Sequence, residues 1–206
     1  ALFASNTEKS ALMVNLMSVF SSAFTILFLF FTITLLFDKL YKFNSYESLI
    51  DKFTFFGSAA IGSLALCFSD SFWFNAVEAE VYAMATLILS ILFYLALKWE
   101  KEMNTPRGDR WLLLIAFIIG LSFGVHFMGL LTIPAISMLY YFKNYKAVTL
   151  KGFITANVIS ITILLFIFKL LLPLILSFFG NTEVYIVNEI GLPFNSGTII
   201  AGLVII

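Results

Sequence analysis

Residues 11–37 read ALMVNLMSVFSSAFTILFLFFTITLLF, twenty-seven positions without a charge, where a helix needs about 20 apolar residues to cross a bilayer. The apolar core of a secretory leader is about 7 to 15 residues, so this stretch reads as a true span. Uncharged runs recur at 53–69, 81–97, 111–142 and 152–168, divided by charged stretches. In lipid only helices and closed barrels satisfy the backbone, and these runs lack the alternation of a barrel. The sequence therefore predicts an all-α fold, a polytopic transmembrane helical bundle with about six to seven membrane helices.

Composition agrees. The 206 residues are 61% hydrophobic and only 12% charged, against roughly 25% charged in a soluble domain. Twelve basic and twelve acidic residues cancel, which leaves no basic face for nucleic acid. Cys67 stands alone, so no disulfide forms within the chain. The sequence begins at Ala1 and ends in a short apolar run, 199–206, so it is expected to be the middle of a larger protein. With no internal repeat and no Gly/Ser linker, 1–206 reads as one transmembrane domain fragment.

Charge sets the orientation. Stretches 38–52, 98–110 and 143–151 hold ten of the twelve Lys and Arg, and the positive-inside rule places all three in the cytoplasm. The run 111–142 would be about 48 Å long as one helix, yet the chain must return to its starting side. Two short helices with a turn at Gly124-Val125-His126 satisfy that requirement; a single tilted helix would break the parity. Glu8, Lys9, the turn 69–80, His126 and segment 180–197 then share the outer face, which in a bacterial inner membrane is periplasmic.

The turn WFNAVEAEVY, 73–82, is the richest in chemistry. Carboxylates at the start of an apolar helix are functional candidates, and on one helix Glu78 and Glu80 would point about 200° apart, so one is expected to act and the other to support. The plainer alternative is a pair of acids favoured by the helix dipole, with Trp73 and Tyr82 in an aromatic belt. His126, the only histidine, can donate to a phosphate or exchange a proton, or simply be a satisfied polar side chain. No second His or Cys stands at metal-ligand spacing, and no metal site is expected. Lys169 interrupts an apolar run about 26 Å along its helix from Gly152, where it either snorkels or meets an anionic lipid phosphate. Residues 187–197, VNEIGLPFNSG, have the Gly, Pro and Asn of an ordered turn.

Four stretches in this order, VNLMS at 14–18, FWFNAVEAEVY at 72–82, GLSFGVH at 120–126 and VNEIGLPFNSG at 187–197, resemble a family of polytopic proteins of Bacteroidota and animals whose animal member is a protein O-mannosyltransferase. That family is similar to the GT-C glycosyltransferases, which take a sugar from a polyprenyl-phosphate carrier on the non-cytoplasmic face. The resemblance implies that Glu80, and after it Glu78, meets acceptor or sugar, that His126 meets the carrier phosphate, and that Trp73, Asn75, Tyr82, Asn188 and Asn195 line the pocket. Family members also carry an acidic pair and a His-Pro-Pro-Gly stretch ahead of the point where this sequence begins, so the base is expected upstream. No cofactor is implied beyond the lipid-linked donor; the partners implied are membrane lipid, that donor and a protein acceptor.

Two other classes remain open on sequence. A transporter or flippase of a lipid-linked precursor would place polar groups near the bilayer midplane, whereas these cluster at one edge. A non-catalytic scaffold within a larger membrane complex would need no acid and histidine cluster.

Overall fold

The structure, a computed structural model, describes residues 7–41, 48–145 and 147–205. Lys42 and Lys146 of the basic stretches, and the side chain of Glu8, lie outside them. The chain forms two compact units, Ala1–Ala147 and Val148–Ile206. All regular structure among the described residues is helical.

In the first unit α1 (Thr7–Tyr41), α2 (Leu49–Cys67) and α4 (Val81–Glu102) are long, and α3 (Asp70–Val77) is a short helix between α2 and α4. Then α5 (Gly108–Ser122) and α6 (Thr132–Asn144) are joined by a turn and one 3₁₀ segment, Phe127–Leu131. Local chemistry fixes the boundaries. Ser48 and Asp51 form a reciprocal capping box at the start of α2, satisfying amides that would otherwise lack partners. Gly108 opens α5 because a Cβ there would lie 2.7 Å from the Met103 carbonyl oxygen.

Helix α4 is the axis of this unit. Its buried residues Leu92, Leu95, Ala96 and Trp99 recur at three- and four-residue spacing, and they meet Ile115 of α5 and Ile136 of α6. Trp99 stacks on Tyr140 at 6.4 Å. On another side Phe28 and Phe31 of α1 pack on Tyr94.

In the second unit α7 (Leu150–Phe166) runs through a π-helical turn, Ile167–Leu171, into α8 (Leu172–Asn188). The three pieces form one rod of 39 residues, Leu150–Asn188, and α9 (Ser196–Ile205) folds back on α8. Thr149 Oγ1 caps the rod by accepting the Gly152 N–H at 3.1 Å.

The all-α reading stands, but the six to seven membrane helices do not. Four helices are long and apolar enough to cross a bilayer: Lys9–Leu40, Leu49–Cys67, Val81–Glu102 and Leu150–Asn188. Run 111–142 does break where expected, but its helices have 15 and 13 residues, about 22 and 20 Å, short of the roughly 30 Å hydrocarbon core. Run 152–168 does not end at Lys169, because a lysine does not terminate a helix whose flanking residues all favour it. The four spans make this a multi-pass membrane protein.

Candidate functional site

Ion pairs mark one end of the first unit. Glu100 of α4, only 13% exposed, meets Lys39 of α1 at 3.1 Å and Lys143 of α6 at 3.6 Å. Lys101 meets Asp38 at 3.3 Å, and the Trp111 indole N–H donates to Glu102 at 3.0 Å. The basic stretches 38–52, 98–110 and 143–151 therefore converge through these members, and α5 and α6 leave from and return to the same end, as charge parity requires. Glu100 neutralises two lysines that would otherwise repel across a gap of low dielectric.

The opposite end holds the candidate site. Tyr82 lies eighteen residues before Glu100 on α4, about 27 Å along the axis, and its ring centroid is 5.8 Å from that of His126. His126 precedes the 3₁₀ segment, and its Nδ1 accepts the N–H of Met128 at 3.3 Å. In the neutral ring that hydrogen bond assigns the proton to Nε2, leaving Nε2–H free of the turn as a donor. The turn sits here because Gly129 lies on Ser122: a Cβ at Gly129 would come within 2.8 Å of the Ser122 Cβ.

Glu78 and Glu80 correct one expectation. They do not share a helix: Glu78 closes α3, Glu80 is the residue before α4, and Ala79 links them in extended backbone. The 200° separation does not apply, because the chain breaks helix between α3 and α4. Glu80 is exposed and its carboxylate makes no capping hydrogen bond to α4. Glu78 is half-buried.

Trp73 and Asn75 sit on α3. Asn75 Nδ2 donates to the Ser71 carbonyl at 2.9 Å, turning the amide onto its own helix. Trp73 lines a groove of about 220 Å³ with Val19, Ser22 and Ile26 of α1 and Cys67 at the end of α2. The structure thus joins Tyr82 to His126 and places Trp73 against hydrocarbon side chains.

The remaining candidates belong to the second unit. Lys169 lies in the π-helical turn, midway along its rod instead of near its end. Asn188 ends α8, and Asn195 has a φ of 72°, a left-handed conformation that asparagine tolerates. Residues 187–197 are an ordered turn held by a residue the sequence reading passed over. Glu183 accepts the Asn195 N–H at 2.6 Å, the Thr198 N–H at 2.7 Å and the Thr198 hydroxyl at 3.0 Å. Gly197 permits this approach, since a Cβ there would lie 2.7 Å from the Thr182 carbonyl oxygen. The signal available was an acid thirteen residues ahead of a Ser-Gly-Thr helix start. Among the described residues no group of three His, Cys, Asp or Glu is arranged to hold a metal.

No curated protein and no solved structure matches the chain. Residues 1–149 match the N-terminal domain of the protein O-mannosyl-transferase TMEM260, a stretch that takes in all of α1 to α6, the Glu100 hub and the Tyr82–His126 pair. The chain therefore belongs to the TMEM260 N-terminal domain family of protein O-mannosyl-transferases.

Proposed function

We propose that this chain is part of a membrane glycosyltransferase that moves a sugar, mannose by family, from a polyprenyl-phosphate carrier to Ser or Thr hydroxyls of proteins on the outer, periplasmic face of a bacterial inner membrane. The observation that carries the reading is the pairing of His126 with Tyr82, beside an uncommitted Glu80, at the end of the bundle opposite the basic cluster. If that cluster is cytoplasmic, the site faces outward, where lipid-linked donor and protein acceptor can both arrive.

The residue types suit the transfer. The acceptor oxygen attacks the sugar carbon that bears the phosphate, the bond from that carbon to the phosphate oxygen breaks, and the acceptor proton passes to a carboxylate. Glu80 is assigned to orienting the acceptor hydroxyl, with Glu78 in support, and His126 Nε2–H to stabilising the departing phosphate. Tyr82 holds the imidazole face. Trp73 and Asn75 on α3 are assigned to sugar and carrier contacts.

The test is transfer from a polyprenyl-phosphate sugar to an acceptor peptide by the full-length protein. Glu80→Gln and His126→Ala should each lower the rate roughly 10²-fold or more, the usual scale for one acid–base or oxyanion contact, while the thermal midpoint stays within a few degrees. Glu78→Gln should be milder. Normal turnover by both variants removes them from the mechanism. Orientation is checked separately with single cysteines in a Cys67→Ser background: positions in 98–110 should resist an impermeant thiol reagent on intact cells.

A further inference from the structure

We propose that Lys169 is a binding site for the phosphate of a membrane lipid. Three observations lead there. Lys169 is the single charged residue between Lys151 and Glu183, and it stands nineteen residues from either end of the rod Leu150–Asn188. It cannot be a helix-end lysine that escapes to water, because uncharged residues continue on both sides.

Second, the cation lacks a carboxylate. Among the described residues Lys169 forms no ion pair, and its ammonium lies 5.7 Å from the centre of the Phe168 ring. A ring face offsets only a small part of what an unpaired ammonium loses on leaving water. Of the acids in its unit, Glu183 is fourteen residues on, about 21 Å along the axis, and is committed to the start of α9.

Third, the helix is reshaped at this point. The π-helical turn Ile167–Leu171 is centred on Lys169; such turns are rare and are found mainly at functional sites, because they re-aim a side chain at the cost of a regular hydrogen bond. Depth then selects the anion. With Lys151 at the polar boundary, Lys169 is eighteen residues further, about 27 Å, so its ammonium reaches the phosphate layer on the far side of a hydrocarbon core of about 30 Å. An intramembrane cation at that level is complementary to a phosphate ester.

The experiment uses the full chain in phosphatidylcholine nanodiscs, titrated with phosphatidylglycerol or with a polyprenyl phosphate, the bound lipid being counted by native mass spectrometry. Lys169→Gln should weaken binding of anionic lipid about tenfold, Lys169→Arg should retain it, and Lys52→Gln should match the unaltered protein. If Lys169→Gln does not insert, Lys169→Cys in the Cys67→Ser background is labelled after purification with an ethylammonium or a neutral thiosulfonate, and only the charged label should restore binding. Preference for the polyprenyl phosphate would mark the lipid as the carrier; equal binding of both would mark a phospholipid site. Undiminished binding by Lys169→Gln, an equal loss in Lys52→Gln, or a carbodiimide cross-link from Lys169 to a protein carboxylate would overturn the proposal. None of these readouts requires turnover, so they stand apart from the fate of the transferase reading.

Discussion

Helix α4 and the rod Leu150–Asn188 are both long and apolar, yet 28% of the most apolar stretch of α4 is buried by protein and only 6% of the rod's. The difference lies in which residues occupy the stripe. Along α4 a seam of Ala83, Leu92, Leu95, Ala96 and Trp99 is covered by α1, α5 and α6, so its side chains are chosen for fit. Along α7 and α8 Ser160 and Ile186 are the buried residues, and hydrophobicity there serves as solubility in lipid. One helix is held by packing and the other by its solvent, so the same substitution should have unequal effects on the two.

The largest contrast is a leucine truncation. Leu92→Ala empties a fully buried site and should destabilise the folded protein by about 3 kcal/mol. Leu176→Ala on α8, at a residue 63% exposed, should change stability by less than ~0.5 kcal/mol. Denaturant titration of the purified protein, followed by far-ultraviolet circular dichroism, compares them. Equal losses would mean that the rod is as tightly packed as α4, and the distinction would fail.

Next in size is the ionic hub. Glu100→Gln strands Lys39 and Lys143 beside each other and removes the charge that gathers α1, α4 and α6, so a loss of about 2 kcal/mol is expected. Asp38→Asn breaks the better hydrated Asp38–Lys101 pair, for which ~1 kcal/mol is an upper bound. Raising salt should narrow the gap between the unaltered protein and Asp38→Asn. A Glu100→Gln loss no larger than that of Asp38→Asn would show that the hub is ornamental.

Much of this was legible in the residues. Uncharged runs separated by lysines and arginines imply the all-α class, and the basic residues on either side of 111–142 require the break near His126. Partners across space were not legible. Nothing local to Glu100 announces Lys39 and Lys143, because the pairing depends on parallel packing of α1 and α4. The acids at 78 and 80 fall on one helical wheel if the apolar run that resumes at Val81 is extended backward, whereas the chain leaves helix for the three residues 78–80 between α3 and α4. Lys169 was taken for the end of a helix because charge marks span ends elsewhere in the chain, and here the rod simply continues.

The smallest effect on global stability, and the sharpest on local order, belongs to Glu183. Its carboxylate accepts from the first amides of α9, the position where a helix presents donors with no intrahelical partner, and so adds hydrogen bonds to the packing of α8 on α9. The second unit compensates in this way for the packing it lacks. Glu183→Ala should leave the unfolding midpoint of the first unit unchanged, because α1 to α6 contribute none of these contacts. It should nevertheless accelerate amide exchange at Asn195 and Thr198 about tenfold or more, as expected when a locally ordered turn opens without global unfolding. Glu183→Gln retains one acceptor oxygen and should fall between. If exchange at 195–198 were unaltered in Glu183→Ala, the turn would be held by the approach of Gly197 to α8, and Gly197→Val would become the substitution that releases it.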